Sequence, residues 1–79
     1  MANTQDAINR VCDFRELPRV KKGQKCDVDG RTGVIFGGNH SANFNVKFDD
    51  TKQILNCHPY YKMKIFKNDG ELLYKSDDA

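Results

Sequence analysis

The chain has 79 residues, of which 38% are hydrophobic, and 13 basic against 11 acidic side chains give it a formal net charge of +2. A domain of this length buries only about 60 to 65% of the surface that its unfolded chain exposes, and such a small core leaves little stability to support a strained catalytic cleft. It contains no run of about 18 apolar residues that could span a membrane. We therefore expect one cytosolic domain that is a binding module and not an enzyme, with no cofactor and no membrane contact.

The N-terminal segment predicts an amphipathic helix over residues 3–17. Asn3 or Thr4 can cap it, and apolar side chains recur at steps of three and four residues. Pro18 disfavours helical geometry at the residue before it and therefore ends the helix. We expect the apolar stripe to cover one end or edge of the remaining fold. The alternative is that this face, with Val11, Phe14 and Leu17, contacts a partner.

The rest of the chain alternates between apolar and polar residues in short runs that turn signals separate, which is typical of strands. The Asp29-Gly30 dipeptide is a strong hairpin signal because both residues tolerate positive φ. The predicted strands cover residues 24–28, 31–36, 43–49, 53–57 and 62–66, and a further strand over 71–75 follows the turn at 68–70. Residues 76–79 are predicted to be frayed.

Five short strands joined by tight turns predict a mainly β protein with the strand order of an SH3-like barrel, preceded by a helix and followed by an added C-terminal hairpin strand. The segment KKGQKCDVDGRTGVIFGG resembles the KOW and Tudor-like group of small barrels, through Gly23, Gly30 and the step Gly33-Val34-Ile35. The resemblance covers residues 20–67. It implies a binding module of nucleic-acid-associated or regulatory proteins. In size, the chain also resembles orphan proteins of phages and other mobile elements.

Basic residues form two blocks on either side of the central strands. In an SH3-like barrel the first and fifth strands are neighbours, so the two blocks would form one patch with the adjacent tyrosines. Cations among aromatic rings suit phosphate attraction and base stacking. The alternative is that the lysines only occupy the solvent-facing sides of the strands and protect the strand edges against aggregation. The residues of this predicted patch are Arg19, Lys21, Lys22, Lys25, Tyr60, Tyr61, Lys62, Lys64 and Lys67.

The loop GGNHSAN, residues 37–43, offers adaptable hydrogen-bonding groups in Asn39, His40, Ser41 and Asn43. It lacks the lysine and the following serine or threonine of a P-loop and leads into a strand. We predict either a partner-binding loop or a plain hairpin connection.

Three cysteines without a CxxC pair argue against a disulfide framework and suit a reducing compartment. Cys57 and His58 are neighbours at the end of the predicted strand 53–57. Neighbours along a strand point to opposite faces, so the two cannot form a dyad unless the strand has already ended. His40 and Cys26 could join them only with spacings unlike those of zinc modules. We predict no metal site and no catalytic residue, and we expect Cys26 and Cys57 to be small buried apolar groups.

Two hypotheses follow from the sequence. The first is a module that binds DNA or RNA through the predicted basic and aromatic patch. The second is a protein-interaction or inhibitor module, for example a phage-encoded one that acts on a host protein complex, using the 37–43 loop or the N-terminal helix.

Overall fold

The computed structural model describes residues 4–79, which form one helix and six strands. The elements are α1 (Thr4–Arg15), β1 (Lys25–Val28), β2 (Arg31–Gly38), β3 (Phe44–Phe48), β4 (Ile54–Cys57), β5 (Met63–Phe66) and β6 (Leu72–Lys75). The predicted helix is therefore present, within the predicted bounds. Asn3, one of its two predicted caps, lies outside the described residues.

The six strands form a single open sheet in the order β4-β3-β2-β1-β5-β6, and all neighbouring strands are antiparallel. The prediction of a mainly β protein with an N-terminal helix is confirmed, but the predicted five-stranded SH3-like barrel is not, because the sheet is open and has six strands. A closed barrel requires its outermost strands to pair with each other, whereas β4 and β6 each have one neighbour. The added C-terminal strand pairs with β5 and becomes an edge of the sheet.

The predicted pairing of the first and fifth strands is confirmed. In the β1–β5 register, Cys26 lies opposite Ile65, Asp27 opposite Lys64 and Val28 opposite Met63. This pairing joins the β1–β4 meander to the β5–β6 hairpin. This one long-range strand pairing therefore joins the four-stranded meander and the two-stranded hairpin into a single sheet.

One continuous core lies on the inner side of the curved sheet, beneath α1. Both predicted cysteine positions are confirmed as buried, with Cys26 1% and Cys57 9% exposed. Every strand except β6 contributes at least one buried side chain, and Leu73 and Tyr74 of β6 pack against the cluster. The buried apolar residues are Ile8, Val11, Cys12, Val20, Cys26, Val28, Ile35, Phe44, Val46, Phe48, Cys57, Met63 and Ile65.

The C-terminal residues, for which we expect fraying, are held by hydrogen bonds. Ser76 is 2% exposed. Its backbone N–H donates to the Met63 carbonyl at 2.9 Å, and its hydroxyl oxygen accepts the Met63 N–H at 2.9 Å. The Asp78 carboxylate accepts the Lys62 backbone N–H at 2.7 Å. Hydrogen bonds to this carboxylate lower the pKa of Asp78. The bond from the Ser76 hydroxyl has the larger effect and the bond from the Lys62 backbone amide the smaller.

Helix α1 lies directly against β2 at Gly38. A Cβ atom on Gly38 would lie 2.5 Å from the Ala7 carbonyl oxygen and 2.7 Å from its carbon. Both are backbone atoms of the helix, so they cannot rotate away. The absence of a side chain at Gly38 lets α1 seal the core over this strand.

We expect Gly38→Ala to push α1 off the sheet and to lower the free energy of unfolding by about 1–3 kcal/mol, the usual cost of overpacking. Urea denaturation measures the loss. Gly37→Ala is the matched control, because its Cβ would meet side-chain atoms and no backbone, the methyl group of Thr4 at 3.3 Å and the amide nitrogen of Asn45 at 3.8 Å, and we expect a smaller loss. Equal stability of the two variants would contradict this packing.

Candidate functional site

Two rows of side chains cross the outer side of the sheet, away from the core. Residues directly opposite each other on antiparallel strands place their side chains on the same face. The first row crosses four strands, with Ile54 opposite Lys47, Lys47 opposite Val34 and Val34 opposite Lys25. The residues on either side of these positions along the strands, such as Cys26 and Val46, face the core.

The second row passes through Asp27 of β1, two residues after Lys25, through which the first row passes. It runs Thr32, Asp27, Lys64 and Lys75 across β2, β1, β5 and β6. Together the rows place four lysines on one face. We call Lys25, Lys47, Lys64 and Lys75 the lysine face.

The lysine face is strongly cationic. Its four ammonium groups form no ion pair within 4 Å of an acidic group among residues 4–79. Asp27 is the acidic residue within the rows, and its carboxylate accepts the Gly30 N–H at 2.9 Å. Lys64 and Lys75 lie directly opposite each other, an arrangement that destabilises a strand pair. The face carries a repulsion that a bound anion would relieve.

Aromatic rings adjoin the lysine face. Phe36 follows Thr32 and Val34 on the outer side of β2 and is 36% exposed. The Lys22 ammonium nitrogen lies 4.9 Å from the centre of the Phe36 ring, a cation–π distance. Half-buried Phe66 follows Lys64 on β5.

The structure brings only part of the predicted basic patch together. Lys25 and Lys64 lie on the lysine face, and Lys67 lines a groove with Lys25 and Phe66. Lys22 lies at the border beside Phe36, and Lys21 is exposed on the arm before β1.

Three of the predicted cations have acidic partners. Arg19 pairs with Asp13 at 2.9 Å, Lys62 with Asp29 at 3.6 Å and Lys67 with Glu71 at 3.7 Å. These are exposed pairs, which contribute little to stability. They do reduce the charge available to a ligand.

The two tyrosines of the predicted patch lie elsewhere. The Tyr60 hydroxyl donates to the Arg15 carbonyl at 2.7 Å, and the Arg15 guanidinium carbon lies 5.5 Å from the Tyr60 ring centre. Tyr60 is therefore tied to the C-terminal end of α1. Tyr61 is 52% exposed, with the Lys62 ammonium 5.8 Å from its ring centre.

The loop after β2 has an internal scaffold built by Asn39. The Asn39 side-chain oxygen accepts the backbone N–H groups of Ser41 and Asn43 at 3.0 and 3.3 Å. Its amide nitrogen donates to the side-chain oxygens of Asn45 and Asn56 at 3.0 and 2.8 Å. The loop is thus bonded both to itself and to the sheet.

Arg15 holds the other side of this loop. Its guanidinium donates to the carbonyl oxygens of Ala42 and Ser41 at 2.9 and 3.2 Å, and to the Asn43 side-chain oxygen at 3.1 Å. His40 is exposed at the tip. Asn39 and Asn43 therefore hold the loop's shape through their side chains and Ser41 through its backbone, and His40 and Ser41 are both exposed.

A groove of about 580 Å³ lies between α1 and this loop. Ala7, Val11 and Phe14 form its apolar side, and Arg10 and His40 supply polar groups. Phe14 is 72% exposed, which is unusual for a large apolar side chain on a small domain. We call this feature the helix–loop groove.

The cysteines do not form a nucleophilic site. The pKa of Cys26 is raised to about 12, mainly by burial and to a smaller extent by the nearby Cys57. Burial also raises the pKa of Cys12 and of Cys57. Thiols with raised pKa values are poor nucleophiles. Within residues 4–79, no group of three or more His, Cys, Asp or Glu side chains is placed to hold a metal ion.

The sequence interpretation missed Lys47 and Lys75 as members of the basic surface. Each is the polar member of an alternating strand, so the alternation alone indicates that it faces away from the core. Their grouping with Lys25 and Lys64 depends on the strand order and register, which join β3 and β6 to the same face.

Comparison of the chain with models of protein families, with curated proteins and with solved structures gives no match. Across residues 4–79, no helix has the length and apolar character needed to cross a membrane.

We expect Asn39→Ala to loosen the loop and to lower the free energy of unfolding by about 1–3 kcal/mol, because it removes the hydrogen-bond partner of half-buried Asn43 and Asn45 as well as that of exposed Ser41 and Asn56. Asn39→Asp is the matched control, since it keeps the acceptor for Ser41 and Asn43 but loses both donated bonds. It should fall between wild type and Asn39→Ala. Amide hydrogen exchange at Ser41 and Asn43 measures the loosening of the loop in each variant, and urea denaturation measures the change in the free energy of unfolding. Unchanged exchange in Asn39→Ala would contradict the scaffold role.

Proposed function

We propose that this protein is a small non-enzymatic module that binds nucleic acid through its lysine face. The observation that carries the proposal is the arrangement of Lys25, Lys47, Lys64 and Lys75 in two adjacent cross-strand rows without acidic partners among the described residues. Phosphate groups are the anions that such a surface attracts, by releasing condensed counterions.

Protection of sheet edges accounts for only one of these lysines. Lysine on an edge strand discourages aggregation, and Lys75 lies on the edge strand β6. Lys25, Lys47 and Lys64 lie on β1, β3 and β5, each of which has a neighbour on both sides. Their backbone needs no such protection, so their grouping favours a ligand-binding role.

The spacing of the lysines suits an extended polyanion. Neighbouring strands lie about 4.8 Å apart, so Lys25 and Lys47, on strands separated by β2, are about 10 Å apart at their Cα positions. The exposed ring of Phe36 beside Lys22 adds a surface on which a base can stack. Single-stranded DNA or RNA is the class of nucleic acid that these features favour.

The resemblance of residues 20–67 to KOW and Tudor-like modules supports the same class of function, since such modules occur in nucleic-acid-associated proteins. A cytosolic location is part of the proposal. The three free, buried thiols suit a reducing compartment.

We expect wild-type protein to bind a labelled single-stranded oligonucleotide with an affinity that falls steeply with salt. Four phosphate contacts predict a slope of log K against log salt of about −2.8, and Lys64→Gln should weaken it by about 0.7. Fluorescence anisotropy between about 50 and 200 mM salt measures both. Lys52→Gln, in the exposed turn before β4, is the matched control and should leave the slope unchanged. Absent binding, or equal effects of the two variants, would refute the proposal.

A second candidate function is protein binding in the helix–loop groove. It is favoured by the exposed ring of Phe14 over a groove whose loop wall is already held by Arg15 and Asn39. A preorganised wall lowers the entropic cost of binding. Arg10 on the rim makes an apolar segment that carries a carboxylate the best-matched partner.

This second function predicts that nuclease-treated lysate yields one stable protein partner, and that Phe14→Ser or Arg10→Glu loses it. Both side chains are exposed, so the fold should tolerate these changes. Lys64→Gln is the control and should retain the partner. A partner that both groove variants keep, or no partner at all, would count against the groove.

A further inference from the structure

The edge strand β4 combines an open backbone with exposed apolar side chains. It has β3 as its one neighbour, and Ile54 and Leu55 are 47% and 40% exposed. Its sequence ILNC contains no charge and no proline, the usual features that keep an edge from pairing. The opposite edge, β6, ends in Lys75 and leads directly into the acidic tail.

The ladder between β3 and β4 determines which backbone groups of β4 are free. The Phe48 N–H donates to the Gln53 carbonyl at 3.0 Å. Hydrogen-bonded pairs alternate along an antiparallel ladder, so Val46 and Leu55 form the next such pair. The N–H and C=O groups of Ile54 and Asn56 consequently point away from β3, toward the open edge.

We propose that β4 pairs with β4 of a second copy of this chain, antiparallel about a two-fold axis at Leu55. In this register Ile54 lies opposite Asn56 of the second copy, and Leu55 lies opposite Leu55 of the second copy. The free groups of Ile54 and Asn56 form four intermolecular hydrogen bonds. This isologous contact is self-complementary, as a two-fold interface requires.

The side chains agree with the backbone register. Ile54 and Asn56 lie on the outer face, opposite Lys47 and Asn45, so each outer residue meets an outer residue of the second copy. Leu55 lies opposite core residue Val46 and meets its counterpart in a non-hydrogen-bonded pair, where side chains approach most closely. The two exposed leucines would cover each other.

The pairing would join two six-stranded sheets and place both lysine faces on one side of the dimer. It does not depend on nucleic-acid binding. Because one four-residue edge buries little area, well below the roughly 1,200 Å² of stable interfaces, we expect association that depends strongly on protein concentration.

Cysteine cross-linking in the absence of nucleic acid tests the register. Directly opposed residues have Cβ atoms about 4.5–5.5 Å apart, close to the roughly 3.5–4.5 Å of a disulfide, so Leu55→Cys should form a covalent dimer under mild oxidation. Ile54→Cys is the matched control. It is at least as exposed as Leu55 and lies on the same strand, but the register places it two positions from its counterpart, so it should form little dimer.

Sedimentation of the wild-type protein provides the second measurement. We expect the mass to rise from 9.0 kDa toward twice that value with concentration, and Leu55→Lys to abolish the rise. Equal cross-linking of the Leu55→Cys and Ile54→Cys variants, or a wild-type mass that stays at 9.0 kDa at millimolar concentration, would overturn the proposal. Neither measurement involves the lysine face, so this proposal and the nucleic-acid proposal can fail separately.

Discussion

The antiparallel pairing of β1 with β5 is the contact on which the rest of the sheet depends. It places Cys26 opposite Ile65 and Asp27 opposite Lys64, so the first pair enters the core and the second faces water. A slip of one residue would turn Lys64 inward and Ile65 outward, which would bury an ammonium group without a partner. The same alternation of side chains along the strands therefore places apolar residues in the core and lysines on the outer face.

Local features of the sequence predict much of this fold. The Asp29-Gly30 turn has φ angles of 53° and 85°, as expected for a hairpin dipeptide whose residues tolerate positive φ. The alternation of Phe44, Val46 and Phe48 correctly predicts which face of β3 is buried. These signals act over two to five residues, where side-chain periodicity and turn chemistry dominate.

Features that depend on long-range geometry could not be predicted in the same way. Closure of the sheet depends on whether β4 meets the last strand, and no local pattern specifies that. Tyr60 follows a predicted strand beside Lys62, yet its hydroxyl bonds to the Arg15 carbonyl, 45 residues away along the chain. The lysine face likewise draws Lys47 and Lys75 from strands that become parts of one surface only through the sheet order.

We propose that the outer face of the sheet, and not the helix–loop groove, is the nucleic-acid-binding surface. Titration of ¹⁵N-labelled protein with a single-stranded oligonucleotide, followed by two-dimensional NMR, locates the contact directly. We expect chemical shifts to change most at Lys25, Lys47, Lys64 and Lys75. Changes confined to Arg10, Phe14 and His40, or no changes at low salt, would contradict it.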